Sequence, residues 1–214
     1  MKKINVAVLA SGGGTNFQSI IDNWERGGLE EINLKLLICN KPDAYCIERA
    51  KKHKIDFRVI DHREKTREEF EKEMVRALEE YKIDLIVLAG FMRMLSPYFV
   101  NRYKWKILNI HPALLPAFPG TDGQGDALKY GVKVSGCTTH FVDEGEDTGP
   151  IILQKAVPVM DDDTRDTLAH RILEWEHRIY PLTIKLFAQG RLKIDGRHVR
   201  IKNYEEVLKK LNEK

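Results

Sequence analysis

Asn109 and His111 stand two positions apart at the end of the apolar run KILNIH (106–111), and Pro112 follows at once. A strand repeats every two residues, so both heads leave the same face. The pair is either an accident of a strand end or an amide and an imidazole aimed at one spot. A second candidate site is SGGGTN (11–16), between the apolar run INVAVLA (4–10) and a helical pattern. A helix N-terminus presents unpaired N–H groups and a positive dipole end, and glycines let an anion approach the backbone. A third is the acidic loop VDEGEDTGP (142–150), with Asp143, Glu144, Glu146 and Asp147.

The glycine loop fits neither of the two common nucleotide patterns. Gly12 and Gly14 would begin a dinucleotide fingerprint, but Phe17 occupies its third glycine position. The next apolar run ends in Cys39-Asn40-Lys41, where an acid would be needed for a ribose. No Gly-Lys-Ser/Thr is present for a nucleoside triphosphate. A single phosphate on a small metabolite remains, beside the plainer reading of a tight turn. Most of the acidic loop has the composition of a solvated hairpin. His140, beside this loop, could partner its acids or be an ordinary strand residue, and the second reading is favoured. A metal held by His111, His140 and Asp147 lacks any tight His-x-x-His or His-Glu-x-x-His spacing, so no metal is expected.

The surrounding elements must bring these pieces together. Apolar runs at 4–10, 33–40, 56–60, 84–91 and 106–111 alternate with helical patterns at 16–27, 43–54 and 66–82 and a short one at 96–103. Asp43 is a candidate N-cap for the second of these, and Thr66 with Glu69 forms a capping box for the third. The alternation predicts a Rossmann-like, doubly wound, mostly parallel α/β sheet, with the first, fourth and fifth strands central. Runs at 135–143 and 150–159 predict an antiparallel pair extending it. A helix follows over 164–189, which Pro181 should kink or break, then a short strand near 198–201 and a terminal amphipathic helix. No linker divides the chain, so 1–214 reads as one domain. About 1–103 would form its phosphate-binding half and about 104–214 its catalytic half. Ligands of open α/β sheets bind outside the carboxyl ends of the strands. There the glycine loop and the Asn109/His111 pair would open on one edge, suiting a small phosphorylated substrate.

The bulk numbers agree with a small-molecule protein. The 214 residues carry 35 basic and 32 acidic side chains, net +3, with 43% hydrophobic residues. So small an excess does not call for nucleic acid. Cys39, Cys46 and Cys137 are odd in number and widely spaced, which fits free thiols in a reducing cytoplasm better than disulfides or zinc. No stretch approaches the roughly 20 apolar residues that cross a membrane. The sequence leaves monomer and homodimer both open.

Four stretches in order, SGGGTN, LAGFMRMLSP, NIHPALLPAFPG and GCTTHFVDEGEDTGPII, resemble the 10-formyltetrahydrofolate-dependent formyltransferases. The likeness runs from Lys3 to about Lys193. The glycine loop and EWEHRIYPL (174–182) favour the branch that formylates glycinamide ribonucleotide in purine synthesis. The resemblance implies that Asn109, His111 and Asp147 are catalytic. Asn109 and a protonated His111 would donate to the oxygen of a tetrahedral intermediate, and Asp147 would orient the ring and favour its charged form. It implies a phosphate loop at Gly14, Thr15 and Asn16, with Leu173, Glu174, Trp175 and Glu176 holding the rest of the ribonucleotide. Met92, Arg93, Met94 and Leu95 would form a wall for the folate. Asp143, Glu144, Gly145, Glu146 and Asp147 would close over its pterin, and Arg67 would lie near its glutamate tail. The formylfolate is then a co-substrate, and no metal takes part. The segment 120–128 is a variable flap in such enzymes.

Two relatives share the catalytic triplet. The transfer-RNA-directed enzyme carries a further RNA-binding domain, for which the about 20 residues after Leu192 are too few. The formyltetrahydrofolate hydrolase carries an N-terminal regulatory domain, whereas strand one here begins at Ile4. The alternatives that stay open are that hydrolase and a non-catalytic protein binding a phosphorylated metabolite.

Overall fold

The computed structural model describes residues 2–212. Nine strands form: β1 (Ile4–Ala10), β2 (Ile32–Cys39), β3 (Asp56–Val59), β4 (Leu85–Leu88), β5 (Ile107–His111), β6 (Val134–Phe141), β7 (Ile151–Pro158), β8 (Leu192–Asp195) and β9 (His198–Ile201). Seven helices accompany them: α1 (Thr15–Glu25), α2 (Cys46–Lys52), α3 (Arg67–Glu80), α4 (Pro97–Arg102), α5 (Gly123–Tyr130), α6 (Arg165–Ala188) and α7 (Tyr204–Asn212). The main sheet runs β3-β2-β1-β4-β5-β6-β7. Its first five strands are parallel, and β6 and β7 join antiparallel beyond β5. The expected fold class and the central place of β1, β4 and β5 therefore hold.

Alternation along β1 builds both layers. Val6, Val8 and Ala10 enter one core, with Phe17 and Ile20 of α1 and Ile172 and Ile179 of α6. Ala7 and Leu9 enter the other, with Phe70 and Met74 of α3 and Phe99 of α4. A parallel sheet covered on both faces needs this two-sided apolarity. The Thr66–Glu69 capping box starts α3 as its spacing predicts.

Several boundaries differ from the sequence reading. Helix α2 begins at Cys46 and is capped at Tyr45, with no side-chain cap bond, so Asp43 is not its cap. The fourth strand ends at Leu88, leaving 89–95 as loop. Strand β9 pairs with β8, a hairpin partner that no pattern had indicated.

Helix α6 passes through Pro181 unbroken. Proline removes the N–H that would bond the carbonyl four residues back, here His177. The Ser19 hydroxyl of α1 donates to that carbonyl at 2.8 Å. The interruption expected of Pro181 is thus absorbed by a neighbouring helix. Ser19→Ala is expected to destabilise the fold by about 1 kcal/mol, the cost of a part-buried carbonyl left without its partner. Urea unfolding measures it, and a change below about 0.5 kcal/mol would show that the carbonyl needs no such partner.

Candidate active site

Three parallel strand ends meet at one edge of the sheet. From β1 the chain enters the glycine loop, from β4 it enters 89–95, and β5 ends on His111. The buried Tyr180 hydroxyl bridges the Leu88 and Leu108 carbonyls at 2.7 and 3.0 Å, tying the ends of β4 and β5 together. Beyond β5, Phe141 of β6 pairs with Leu108 and His140 with Asn109. That register sets His140 beside the amide.

Asp147 is the hub of the polar cluster. Its Oδ2 lies 3.2 Å from His111 Nδ1 and accepts the Gly120 N–H at 2.9 Å. Its Oδ1 accepts from Asn109 Nδ2 at 3.3 Å and lies 3.5 Å from His140 Nε2. The backbone there is left-handed, at φ 54°, a conformation costly for a residue with a side chain. Burial, the largest influence, raises the Asp147 carboxyl. The contact with His140, the Gly120 N–H and the charge of the two imidazoles together outweigh it and hold the carboxyl below the usual range. Asp147 is therefore an anion at neutral pH.

The His111 ring is buried and faces an oxygen on each side. Nε2 lies 2.7 Å from the Phe118 carbonyl, which can only accept. With the carboxylate at Nδ1, both nitrogens find acceptors when each carries a hydrogen. His140 Nδ1 faces the Phe141 carbonyl at 2.9 Å, and its Nε2 lies 3.1 Å from Asn109 Nδ2. A neutral His140 protonated on Nδ1 accepts from Asn109; a charged one donates to Asp147. The neutral form thereby fixes the direction of the Asn109 amide.

This cluster forms the floor of a cleft of about 240 Å³. Met92, Arg93, Met94 and Leu95 line one wall, and Asp143, Gly145, Glu146 and Asp147 the rim opposite. The Met92 N–H donates to Ser11 Oγ at 2.9 Å, fastening the wall to the end of β1. Arg67 reaches the same wall, its Nη2 donating to the Met94 carbonyl at 3.0 Å. The Arg93 guanidinium stacks over Phe70, 5.6 Å from the ring centre, so its charge leans towards α3. Asp143 shapes the rim by accepting from Thr148 Oγ1 at 2.6 Å and from the Gly145 N–H at 3.2 Å. Glu144 turns outward to Asn101 Nδ2, at 2.8 Å, and takes no part in lining this cleft.

The glycine loop starts α1 with Gly14 as N-cap, left-handed at φ 69°. A Cβ there would come within 2.7 Å of Cys46 Cβ, so only glycine fits. The first N–H groups of a helix have no partner within it, so a glycine cap leaves backbone donors to which an anion could bind. Thr15 opens the helix, and Asn16 Nδ2 donates to Glu176 Oε2 at 2.7 Å. Burial pushes the Glu176 carboxyl up, and the Asn16 bond offsets this only in part. In the 173–176 segment Glu176 is the residue that meets the loop. Leu173 is half-buried, Glu174 is exposed and pairs with His170 at 3.6 Å, and Trp175 lies between Lys155 and Arg178, 4.1 and 4.7 Å from its ring.

Sequence reasoning missed His140, which it took for a plain strand residue, and the Phe118 carbonyl and Gly120 N–H of the segment after β5. The signal for His140 was cross-strand register, which no single-strand pattern carries. Among the described residues no group of three or more His, Cys, Asp or Glu side chains is placed to hold a metal ion. No helix among them is long and apolar enough to cross a membrane.

A cleft floored by a polar cluster, beside a glycine-capped helix N-terminus at the carboxyl edge of a mostly parallel sheet, is the layout of an enzyme acting on small molecules. Residues 4–184 match the formyl transferase family, and the chain belongs to it. Within that family it is 44% identical over 191 residues to phosphoribosylglycinamide formyltransferase of Bacillus subtilis (strain 168), covering 86% of this chain and 94% of that one. It is 45% identical over 194 residues to the trifunctional purine biosynthetic protein adenosine-3 of Homo sapiens, spanning 90% of this chain but 19% of that protein's length. The crystal structure of glycinamide ribonucleotide transformylase 1 from Symbiobacterium toebii superposes with a TM-score of 0.91 at 47% identity, over 94% and 95% of the two chains. A formyltetrahydrofolate deformylase from Pseudomonas syringae pv. tomato superposes at 0.88, with 25% identity and 67% of its chain covered.

Proposed function

We propose that this chain moves the formyl group of 10-formyltetrahydrofolate to the amine of glycinamide ribonucleotide, giving formylglycinamide ribonucleotide and tetrahydrofolate in purine (IMP) synthesis. The observation that carries the reading is the Asn109–His111–Asp147 cluster, joined through one sheet edge to a glycine-capped helix N-terminus. The ribonucleotide phosphate would take the N–H groups of Gly14, Thr15 and Asn16, and Glu176 would receive its ribose hydroxyls or amine. The formylfolate would lie along Met92–Leu95 under the 143–147 rim, with Arg67 towards its glutamate tail. Each substrate is then held by residues from both halves of the chain.

The chemistry follows from the donors. The amine attacks the formyl carbon, and the carbonyl oxygen gains charge as the carbon becomes tetrahedral. Asn109 Nδ2 can turn the hydrogen it offers His140 towards that oxygen. His111 can offer Nε2–H once it releases the Phe118 carbonyl, so the segment carrying Phe118 must shift when substrate binds. Asp147 keeps the ring oriented and compensates its charge. As the intermediate collapses, a proton passes from the attacking amine to the departing folate nitrogen, with His111, Asp147 or a water between them as carrier.

Mixing the protein with 10-formyltetrahydrofolate, with and without glycinamide ribonucleotide, tests the reading. Formyl loss that depends on the amine is the expected result. Loss to water alone would make the chain a hydrolase, the activity named for the Pseudomonas neighbour. Binding without loss would make it a non-catalytic binder.

A further inference from the structure

The glycine loop rests on two thiols. Cys39 ends β2, Cys46 begins α2, their Sγ atoms are 3.5 Å apart, and both are fully buried. The Cys46 N–H donates to the Gly12 carbonyl at 3.0 Å, and its Cβ is the atom beneath Gly14. One turn on, Arg49 Nε donates to the Gly13 carbonyl at 2.8 Å. In a trans peptide the C=O and the following N–H point in opposite directions. Holding these two carbonyls against α2 therefore turns the N–H groups of Gly13 and Gly14 outward, to where an anion would sit. The start of α2 aims the loop.

We propose that Cys39 and Cys46 are a modification site that closes reversibly to a disulfide, and that the closed form holds the ribonucleotide phosphate less tightly. This rests on the reading of the glycine loop as a phosphate site. A disulfide bond is about 2 Å long, so the sulfurs must approach by about 1.5 Å. Cys39 is held in a strand paired on both sides, whereas Cys46 begins a short helix. Cys46 is the one to move, and with it go the Gly12 bond and the floor under Gly14.

The chemistry balances with hydrogen peroxide as oxidant. The Cys39 thiolate attacks one peroxide oxygen, and hydroxide leaves, taking a proton to become water. Cys46 sulfur then attacks the resulting sulfenic acid; the S–S bond forms and a second water departs with the Cys46 proton. Cys39 suits the first role, because the hydrogen bond from the Cys46 thiol is the main influence lowering it to about 7. The same contact pushes Cys46 up. The loop beside Cys46 is open: apart from their chain neighbours, nothing lies within 4 Å of where a side chain on Gly12 or Gly13 would begin. Linkage makes the effect mutual, so a bound phosphate must oppose closure by the same factor that closure weakens the phosphate.

The test treats the full chain with hydrogen peroxide and follows intact mass, mapped disulfides and formyl-transfer kinetics. The expected result is loss of two hydrogens, a Cys39–Cys46 bond, and a ribonucleotide KM raised about tenfold with kcat little changed, reversed by dithiothreitol. Cys39→Ser should keep its KM under the same treatment, and inorganic phosphate should slow closure of the natural pair. Thiols that survive excess peroxide, or a mapped disulfide with unchanged KM, overturn the proposal. A reduced protein that turns over the ribonucleotide but gains no protection from phosphate overturns the loop coupling alone. A reduced protein that binds neither ribonucleotide nor phosphate sinks the loop reading and this proposal together.

Discussion

His111→Ala is expected to lower kcat by about a thousandfold while leaving ribonucleotide affinity within about threefold. The asymmetry follows from position. His111 sits at the end of β5 with its ring in the cleft floor, whereas the glycine loop follows β1, Asn16 lies in α1 and Glu176 in α6. On the proposed mechanism, removing the imidazole deletes a donor to the developing oxyanion and one route for the proton, but touches none of the residues proposed to hold the phosphate. It also frees Asp147 Oδ2 and the Phe118 carbonyl, which water can satisfy in an open cleft. Steady-state kinetics with ribonucleotide binding by calorimetry separates the two effects. Near-normal turnover would remove His111 from the mechanism, and lost binding would mean that the variant has disturbed the fold.

Asp147→Asn keeps the shape and removes the charge. The expected loss in kcat is about a hundredfold or more, with a changed pH profile. Asp147 is depressed in the folded protein, so its contribution to stability and to activity is fully present above the ordinary carboxylate pKa. That contribution fades as pH falls through the lower folded value. In the variant this acid limb disappears. A profile of unchanged shape, merely scaled down, would make Asp147 a structural residue.

Much of this site was legible because local rules carry it. The two-residue period put Asn109 and His111 on one face. The apolar–helical alternation put the glycine loop and β5 at one edge. The capping box fixed the start of α3. What escaped depended on long-range partners. Pro181 read as a kink or break because nothing near it in the chain reveals that Ser19 serves the His177 carbonyl. His140 joined the cluster through the β5–β6 register, and Phe118 and Gly120 through the path of a loop. Glu174 and Trp175 share a segment with Glu176, but the helical turn of about 100° per residue sends them to other faces of α6.

The central claim is that His111 and Asp147 act as one unit on the formyl group. A double-mutant cycle in kcat/KM measures this directly, using His111→Ala, Asp147→Ala and the double variant with saturating formylfolate. If the two work together, the double variant should be little worse than His111→Ala alone, because the carboxylate has nothing left to orient. Losses that simply multiply would show two independent contributions and contradict the mechanism.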